Sequence, residues 1–409
     1  MKAQITLARL KKNMEDLARF GRDSSGGITR PSFGDQDTKA RAWLIDKIKE
    51  AGLHGRMDAA GNVWGRLGPP GSAVLAGSHL DTVPGGGMFD GALGVMAALE
   101  CLQTIREQGL PCKSPLEMVA FSEEEGAYLS FLGSRAVTGS LHVRDLLEAK
   151  DKKDLPLKQA MSFCGMRLER IEIAGRDFKD ITAYLELHIE QGPVLESFQV
   201  PIGIVRAITG IVNYRITFKG KADHAGTTPL AYRRDALLGA SEFCLRVNEW
   251  VRSRTAGVAT VGRIDVSPGA FNIVPDEARL DMEFRHPSPQ ELQIMENSIL
   301  DTGREIAVQR GLRFEAKRIS RDEPVRLSSA VIGVIQEEAD TLGYPYRFIE
   351  SGAGHDAQIL AQKTKTGMIF IPSIGGKSHC PEEESRWDDV EKGAQLLLNC
   401  LLRLANETS

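Results

Sequence analysis

The chain has 409 residues, of which 26% are charged and 42% are apolar, and both values are ordinary for globular proteins. A length above the roughly 250–300 residues at which single cores stop growing predicts two domains. The net charge of -4 gives no electrostatic reason for binding to nucleic acid or to a membrane surface. No apolar run approaches the roughly 20 residues that a membrane-spanning helix needs. We therefore expect neither nucleic acid nor a membrane among the partners.

The N-terminal segment is basic and amphipathic, as a transit peptide would be, but it contains Glu15 and Asp16 and lacks an apolar signal core. We interpret it as the first helix of the folded chain. The six cysteines are scattered and form no C-x-x-C pair. In a large chain without a signal peptide they are expected to be reduced thiols, which predicts a cytoplasmic location.

Helices alternate with buried strands along much of the chain. The patterns predict helices over 38–51 and 91–105. The predicted strands are short and apolar, and they cover 74–81, 116–125, 183–190 and 367–373. Short apolar strands separated by helices predict an α/β fold with a doubly wound, mostly parallel sheet.

The pattern changes between about 212 and 327. Half-exposed alternating strands enclose long amphipathic helices near 233–253 and 288–311. The order β-α-β-β-α-β predicts a small α+β sandwich with antiparallel strands. We therefore expect a discontinuous main domain, residues 1–211 and 328–409, with an inserted domain over 212–327.

Ionisable side chains follow several of the predicted strands, namely His79, Asp81, Asp90, Glu123, Glu124, Glu125, His188 and His379. Ligands of open α/β sheets collect beyond the carboxyl ends of the strands, and imidazole and carboxylate are ligands of Zn²⁺ and related ions. Each piece alone has a plainer interpretation: a surface loop, a solvated glutamate run, or a turn. PGGGMFDG also lacks the Gly-Lys-Ser/Thr of a phosphate loop. Burying these groups together without an ion would carry a heavy desolvation cost, so a metal site is predicted.

The successive motifs resemble those of the amidase/hydantoinase–carbamoylase family, a branch of the dinuclear aminoacylase and carboxypeptidase superfamily. The family includes N-carbamoyl-L-amino-acid hydrolases, allantoate and ureidoglycolate amidohydrolases, and β-ureidopropionases. ELHIEQGPVLE and HAGTTP are specific to this branch. The other motifs, in chain order around these two, are GSHLDTVPGGGMFDG, FSEEEGA, FNIVPDEARLDMEFRH, SGAGHDAQ and PSIGGKSHCPEE.

The resemblance implies two divalent metal ions per subunit, Zn²⁺ or else Mn²⁺, Ni²⁺ or Co²⁺. Asp90 would bridge both ions. His79 and His188 would complete the first site, and Glu125 and His379 the second.

The resemblance also makes Glu124 the general base and places Asp81 behind His79, where it would fix the tautomer of that ring. Adjacent residues of a regular strand point to opposite faces of the sheet. A turn at the end of the strand must therefore direct both Glu124 and Glu125 into the crevice.

Six residues resemble the family's substrate-binding groups: Gln191, His224, Asn272, Arg285, Gly354 and His355. In the family, the counterpart of His224 stabilises the tetrahedral oxyanion, often from the neighbouring subunit. Arg285 would clamp the substrate carboxylate, because a guanidinium binds carboxylates bidentately. The plainer interpretations are a loop histidine and a surface arginine. Polar groups in a separate module predict that the inserted domain closes over the crevice and forms a homodimer.

The chain departs from the family pattern at Tyr128 and Leu129, where Arg-Phe is common, and at Met88. The expected reaction is cleavage of the ureido C–N bond of a small carboxylate, such as an N-carbamoyl-L-amino acid or allantoate, with release of ammonia and CO₂. One alternative is a dinuclear peptidase or N-acyl-amino-acid deacylase, against which ELHIEQG and HAGTTP argue. Another is a metal-binding scaffold or receptor without catalysis, against which the intact Glu124 argues.

Overall fold

The computed structural model of the chain describes residues 3–254 and 256–407. The chain divides into two compact units. The first unit extends to Arg206 and resumes at Leu327, and the second unit is Ala207–Arg326. A lid and dimerisation function of the second unit stays a prediction.

The α-helices of the described ranges are α1 (Leu7–Leu17), α2 (Asp35–Glu50), α3 (Ala92–Glu107), α4 (Leu132–Val137), α5 (Leu157–Phe163), α6 (Val194–Ser197), α7 (Ala236–Arg252), α8 (Pro289–Arg310), α9 (Ser329–Leu342), α10 (Asp356–Leu360) and α11 (Trp387–Asn406). Short 3₁₀ turns occur between them at Val143–Leu146, Leu168–Ala174, Phe178–Asp180, Leu230–Tyr232 and Ile374–Gly376.

The strands of the same ranges are β1 (His54–Met57), β2 (Val63–Leu67), β3 (Ala73–His79), β4 (Leu116–Phe121), β5 (Ile181–Ile189), β6 (Ile202–Ile208), β7 (Gly210–Lys219), β8 (Asp223–His224), β9 (Val258–Ser267), β10 (Ile273–Val274), β11 (Glu277–His286), β12 (Arg313–Asp322), β13 (Val325–Arg326), β14 (Tyr346–Ser351) and β15 (Lys365–Ile371).

The sheet of the first unit has the order β1-β2-β4-β3-β5-β15-β6, with β14 also paired to β6. Its four central strands, β4-β3-β5-β15, run parallel. The flanking pairs β1–β2, β2–β4 and β15–β6 are antiparallel. The predicted mixed α/β fold with a mostly parallel central sheet is therefore confirmed, and the antiparallel flanks add to it.

Strands β3 and β4 are buried along their whole length, and β5 and β15 are buried except at Thr182 and Lys365 near their starts, because helices cover both faces of a parallel sheet. Helix α3 lies against β3, and small residues allow this close approach. A Cβ atom on Gly94 would lie 2.4 Å from the carbonyl oxygen of Leu187 on β5. This packing brings the start of α3, and the residues just before it, to the carboxyl ends of the strands.

Two predicted strands are too long. Strand β3 ends at His79 rather than at residue 81, and β4 ends at Phe121 rather than at residue 125. Glu123 has φ 59°, in the left-handed region, which ends the extended chain there. Glu124 and Glu125 therefore lie on the turn that the sequence required for both to face the crevice.

The second unit contains a four-stranded antiparallel sheet with the order β12-β7-β11-β9. Alternate residues of β7 and β11, among them Ile216 and Leu280, form a core with α7 and α8. The order of these elements is the predicted β-α-β-β-α-β, with the short strands β8, β10 and β13 in addition.

Within the described residues, no helix combines the length and the apolar character needed to cross a membrane. All six cysteines are free thiols, of which Cys101 and Cys400 are buried.

Candidate metal centre and active site

The first unit brings the carboxyl ends of four parallel strands to one edge of its sheet. His79 is the last residue of β3, and His188 is the second-last residue of β5. Glu124 and Glu125 follow β4, and His379 lies on the loop after β15. Parallel strands therefore place at one edge side chains that are up to 300 residues apart in the chain.

Asp90 lies between these histidines. Its Oδ1 atom is 3.2 Å from Nε2 of His188 and 3.8 Å from Nε2 of His79. Its Oδ2 atom is 3.1 Å from Nε2 of His379. Each carboxylate oxygen thus faces a different histidine set, which is the arrangement of a bridging carboxylate.

Gly91 allows the helix after Asp90 to begin against His79. Its φ is 63°, a conformation that glycine adopts without strain. An added Cβ atom would lie 2.4 Å from the ring of His79. A larger residue at position 91 would therefore displace either Asp90 or the imidazole.

Two groups of candidate ligands share Asp90. In the first group, His79, Asp90 and His188 bring donor atoms within 4.8 Å of one another, and Asp90, Glu125 and His379 do so in the second. Oε1 of Glu125 is buried and has no hydrogen-bond partner. An unpartnered carboxylate oxygen among imidazoles is a fit for divalent cations. The described residues thus suit two neighbouring ions with Asp90 between them.

Main-chain carbonyls orient both histidines of the first group. Nδ1 of His79 is 3.0 Å from the carbonyl oxygen of Asp81, and Nδ1 of His188 is 2.9 Å from that of Ile189. A neutral ring with its proton on Nδ1 would offer the lone pair of Nε2 to a cation beside Asp90.

The carboxylate of Asp81 has a different partner from the one expected. It lies 3.8 Å from Nδ1 of His79, beyond hydrogen-bonding distance. Its two oxygens accept the main-chain N–H groups of Glu124 and Glu125, at 3.2 and 3.1 Å. The expectation that this carboxylate also fixes the ring of His79 stays a prediction. The main-chain carbonyl orients His79, and the carboxylate holds the turn that carries the two glutamates.

Burial and mutual repulsion raise the pKa values of the glutamates. Burial, and then the charges of Glu125 and Asp356, raise the pKa of Glu124 well above its usual value. Burial, and then Asp90, raise the pKa of Glu125 to about 10. Bound cations would remove this repulsion, because they supply the positive charge that the cluster lacks.

Asp90 differs from the glutamates beside it. Burial opposes its ionisation, but hydrogen bonds from His188 and His379 outweigh burial and hold the pKa of Asp90 well below its usual value. Burial lowers the pKa of His188, but the hydrogen bond to Asp90 raises it. The net result is a pKa of about 9. The central carboxylate is therefore charged, as a bridging ligand must be.

Glu124 lies beside the candidate ligands. Its side chain is 9% exposed, and Oε2 is 3.9 Å from Nε2 of His79. Among the described residues, no lysine or arginine forms an ion pair with Glu124. A carboxyl group with a raised pKa at this position can accept and return a proton.

The predicted substrate-binding residues of the first unit differ in their surroundings. Nε2 of Gln191 is 3.2 Å from Oδ1 of Asp90 and 3.4 Å from Nε2 of His379. Gly354 lies so close to Phe131 that an added Cβ atom would be 2.7 Å from its ring. His355 is buried, with its ring centroid 4.6 Å from that of His188 and its Nε2 atom 2.9 Å from Oγ of Ser351. Gln191 thus contacts the candidate ligands Asp90 and His379, and His355 contacts the candidate ligand His188.

The second unit places His224 and Asn272 side by side. His224 on β8 pairs with Ile273 on β10, and N–H of Ala225 donates to the carbonyl oxygen of Asn272 at 2.9 Å. The N–H groups of Gly226 and Thr227 donate to Nδ1 of His224, at 3.0 and 3.3 Å. Nδ1 is therefore the acceptor. Nε2 of this exposed ring carries the proton and can donate a hydrogen bond.

Arg285 lies on β11 of the second unit. Its Nε atom is 2.6 Å from Oε1 of Glu283, and the two side chains are partly exposed. A carboxylate partner already occupies one edge of the guanidinium.

The positions that depart from the family pattern have structural partners. The main-chain N–H groups of Tyr128 and Leu129 both donate to Oε1 of Glu123, the latter at 3.0 Å. The ring of Tyr128 lies 6.3 Å from that of Phe33. Met88 is partly buried against the core of the first unit.

Sequence reasoning assigned no role to Glu123 or Glu383, although both lie within the quoted motifs. Glu123 is buried and organises the turn after Glu124 and Glu125. Glu383 is buried behind Asp90. The only signal in the sequence was a carboxyl group within a motif, which does not distinguish a ligand from a supporting residue.

Comparison with known proteins identifies the family of the chain. The model of the peptidase family M20/M25/M40 matches residues 75–403. An N-carbamoyl-L-amino-acid amidohydrolase of Paenarthrobacter aurescens is 39% identical and aligns over 97% of both chains. The allantoate amidohydrolase of Escherichia coli is 34% identical, also over 97% of both. The crystal structure of a Burkholderia multivorans amidase of the hydantoinase/carbamoylase family covers 100% of both chains, with a TM-score of 0.93 and 34% identity. This chain therefore belongs to the peptidase family M20/M25/M40 and, within it, to the hydantoinase/carbamoylase amidases.

Proposed function

We propose that this chain is a metal-dependent amidohydrolase that cleaves the ureido C–N bond of a small N-carbamoyl carboxylate and releases ammonia and CO₂. The observation that carries the proposal is Asp90, whose two oxygens face two histidine sets beside Glu124. Full-length relatives named N-carbamoyl-L-amino-acid and allantoate amidohydrolases support this substrate class. A dinuclear peptidase or N-acyl-amino-acid deacylase would use the same ligands, and no feature of the site favours it.

The proposed centre binds two divalent cations, Zn²⁺ or else Mn²⁺, Ni²⁺ or Co²⁺. His79, Asp90 and His188 would hold one, and Asp90, Glu125 and His379 the other. When bound, the ions supply Lewis acidity, which polarises a ureido carbonyl and makes a water molecule more acidic. This donor set of nitrogen and oxygen atoms accepts several divalent metals, so the choice of metal is left to experiment.

Glu124 moves the proton of the reaction. Its carboxylate takes a proton from the attacking water and returns it to the departing nitrogen, which leaves as ammonia. Asp81 keeps Glu124 in place through the main-chain N–H bond. The carbamate that remains then loses CO₂ to give the free amine. Burial of Glu124 excludes bulk water from the proton transfer.

His224, Asn272 and Arg285 are the proposed contacts of the second unit with the substrate. Because Nδ1 of His224 is an acceptor for the main chain, its Nε2–H can donate to the oxyanion that forms at the ureido carbon. Arg285 is the proposed ligand of the substrate carboxylate, and Gln191, Gly354 and His355 are the proposed substrate-binding residues of the first unit. The donor-rich second unit thus matches an anionic substrate.

We also propose a homodimer formed through the second unit. Strand β9 is an end strand of its sheet, and its residues Val258 and Ile264 are 57% and 46% exposed. Phe271, in the loop after β9, is fully exposed. An exposed apolar edge strand is a template for pairing with a second chain, and a symmetric pair would form two equivalent sites.

Subunit exchange tests this arrangement. A mixture of Arg285→Ala and Glu124→Gln chains regains activity if Arg285 acts across the interface, because heterodimers then hold one complete site. A mixture that stays inactive after verified exchange would contradict action in trans. For localisation, we propose the cytoplasm, which the six free cysteines support.

Removal and restoration of metal test the proposed activity. The chelated wild-type chain should release no ammonia from N-carbamoyl-L-amino acids, and Zn²⁺, Mn²⁺, Ni²⁺ or Co²⁺ should restore release. The Glu124→Gln chain, treated identically, is the matched control because it keeps every proposed ligand. Full activity without metal, or in the control, would contradict the proposal.

A further inference from the structure

Glu383 connects two loops that carry candidate ligands. Its Oε1 atom accepts the main-chain N–H groups of Phe89 and Asp90, at 2.9 and 3.0 Å. Its Oε2 atom accepts the hydroxyl of Ser378 at 2.8 Å, and Ser378 directly precedes His379. One buried carboxylate thus joins the loop of Asp90 to the loop of His379.

Gln191 extends this connection. Its Nε2 atom is 3.3 Å from Oγ of Ser378 and 3.2 Å from Oδ1 of Asp90. His379 has φ 58°, so its backbone needs outside support to keep this left-handed conformation. The hydrogen bonds that hold Ser378 next to it supply such support.

Gly87 makes room for the side chain of Glu383. A Cβ atom on Gly87 would lie 2.2 Å from Oε1 of Glu383 and 2.3 Å from its Cβ atom. The backbone of Gly87, unlike that of Gly85 and Gly91, does not have a positive φ. The absence of a side chain at position 87 therefore serves the approach of the glutamate rather than a turn.

We propose that Glu383 is a positioning residue that sets the geometry of the second metal site by hydrogen bonding, without binding an ion itself. This inference rests on the proposed two-ion centre. The first site takes its histidines from β3 and β5, which the sheet holds independently. The second site depends on the loop of His379, so loss of Glu383 weakens the second site more than the first.

The test is titration of the chelated full-length chain with Zn²⁺ by calorimetry. Glu383→Ala should bind the second ion about 10–100-fold more weakly than wild type, the range typical for residues that support ligands, and the first ion should be weakened less, because only Asp90 among its ligands contacts Glu383. Glu383→Gln should bind both ions within about threefold of wild type, because an amide oxygen accepts the two N–H groups and Ser378 can reverse its hydroxyl. Rescue by glutamine distinguishes a hydrogen-bonding role from a charge effect.

Two further variants keep the test decisive. Gly87→Ala should reproduce the loss of the second ion by displacing Glu383, even if Glu383→Ala folds poorly. Glu382→Ala removes an exposed neighbouring charge and should titrate as wild type. Wild-type affinity in Glu383→Ala, or equal defects in Glu383→Ala and Glu383→Gln, would overturn the inference. A wild-type chain that binds a single ion would instead refute the two-ion centre, and the selective effect with it.

Discussion

Substitution of Asp81 by asparagine separates the support of the general base from the support of the metal. The side chain of Asp81 is 1% exposed, and its two oxygens accept the N–H groups of Glu124 and Glu125. Asparagine keeps one acceptor oxygen and presents an amino group to the other N–H. One hydrogen bond to a charged acceptor is lost, and one buried donor is left facing another donor.

The size of the effect follows from that geometry. A hydrogen bond to a charged group contributes about 1.5–3 kcal/mol, which corresponds to roughly a 10–150-fold fall in kcat if the loss is expressed in the placement of Glu124. His79 is held by the main-chain carbonyl of residue 81, which the substitution retains. Asp81→Asn should therefore keep its metal ions while kcat falls.

Initial rates of ammonia release and elemental analysis of the same sample measure both quantities. Asp81→Ala is the companion variant. It removes both acceptor oxygens, so its kcat should be lower than that of Asp81→Asn. An unchanged kcat in Asp81→Asn would refute the support of Glu124 by this carboxylate. Loss of metal with unchanged kcat per bound metal would show instead that the Asp81 carboxylate orients His79, as the sequence suggests.

Three further predictions concern the same centre. Glu124→Gln should retain its metal content, while kcat falls by about 10²–10⁴-fold. Elemental analysis measures the metal content, and ammonia release measures kcat. Wild-type turnover would exclude Glu124 as the base. Asp90→Ala should lose both ions, because only this side chain belongs to both ligand groups; two ions retained in dialysed protein would contradict bridging. In the metal-free chain, the pKa of Glu125 is about 10 against an ordinary 4.5. The folded state therefore binds a proton that the unfolded state releases, so Tm should fall as pH rises between these values and Zn²⁺ should oppose the fall; a Tm that rises with pH in chelator would contradict this.

The sequence predicts best what depends on strand order. His79, His188 and His379 follow apolar segments, and any parallel sheet built from those segments brings their carboxyl ends to one edge. The fold class follows from the same alternation of strands and helices. The short strands β1 and β2 were not predicted, because they flank the sheet and lack a long apolar pattern.

Contacts between distant loops could not be read from the sequence. The turn at Glu124 depends on Asp81, which lies 43 residues earlier, and the loop of Asp90 depends on Glu383, which lies 293 residues later. A carboxyl group in a motif can be a ligand, a base or a hydrogen-bond acceptor for the main chain. Only the positions of its neighbours decide which, and for Asp81 those positions added the main-chain N–H groups of Glu124 and Glu125 as partners.

Ammonia release from a substrate panel tests the central claim most directly. The metal-restored chain is assayed with N-carbamoyl-L-amino acids, allantoate, ureidoglycolate and N-carbamoyl-β-alanine, and in parallel with N-acetyl-amino acids and dipeptides. The proposed function predicts ammonia from at least one ureido acid and no cleavage of the acyl or peptide bonds. Hydrolysis of an N-acetyl-amino acid or a dipeptide, with no ammonia from any ureido acid, would contradict it.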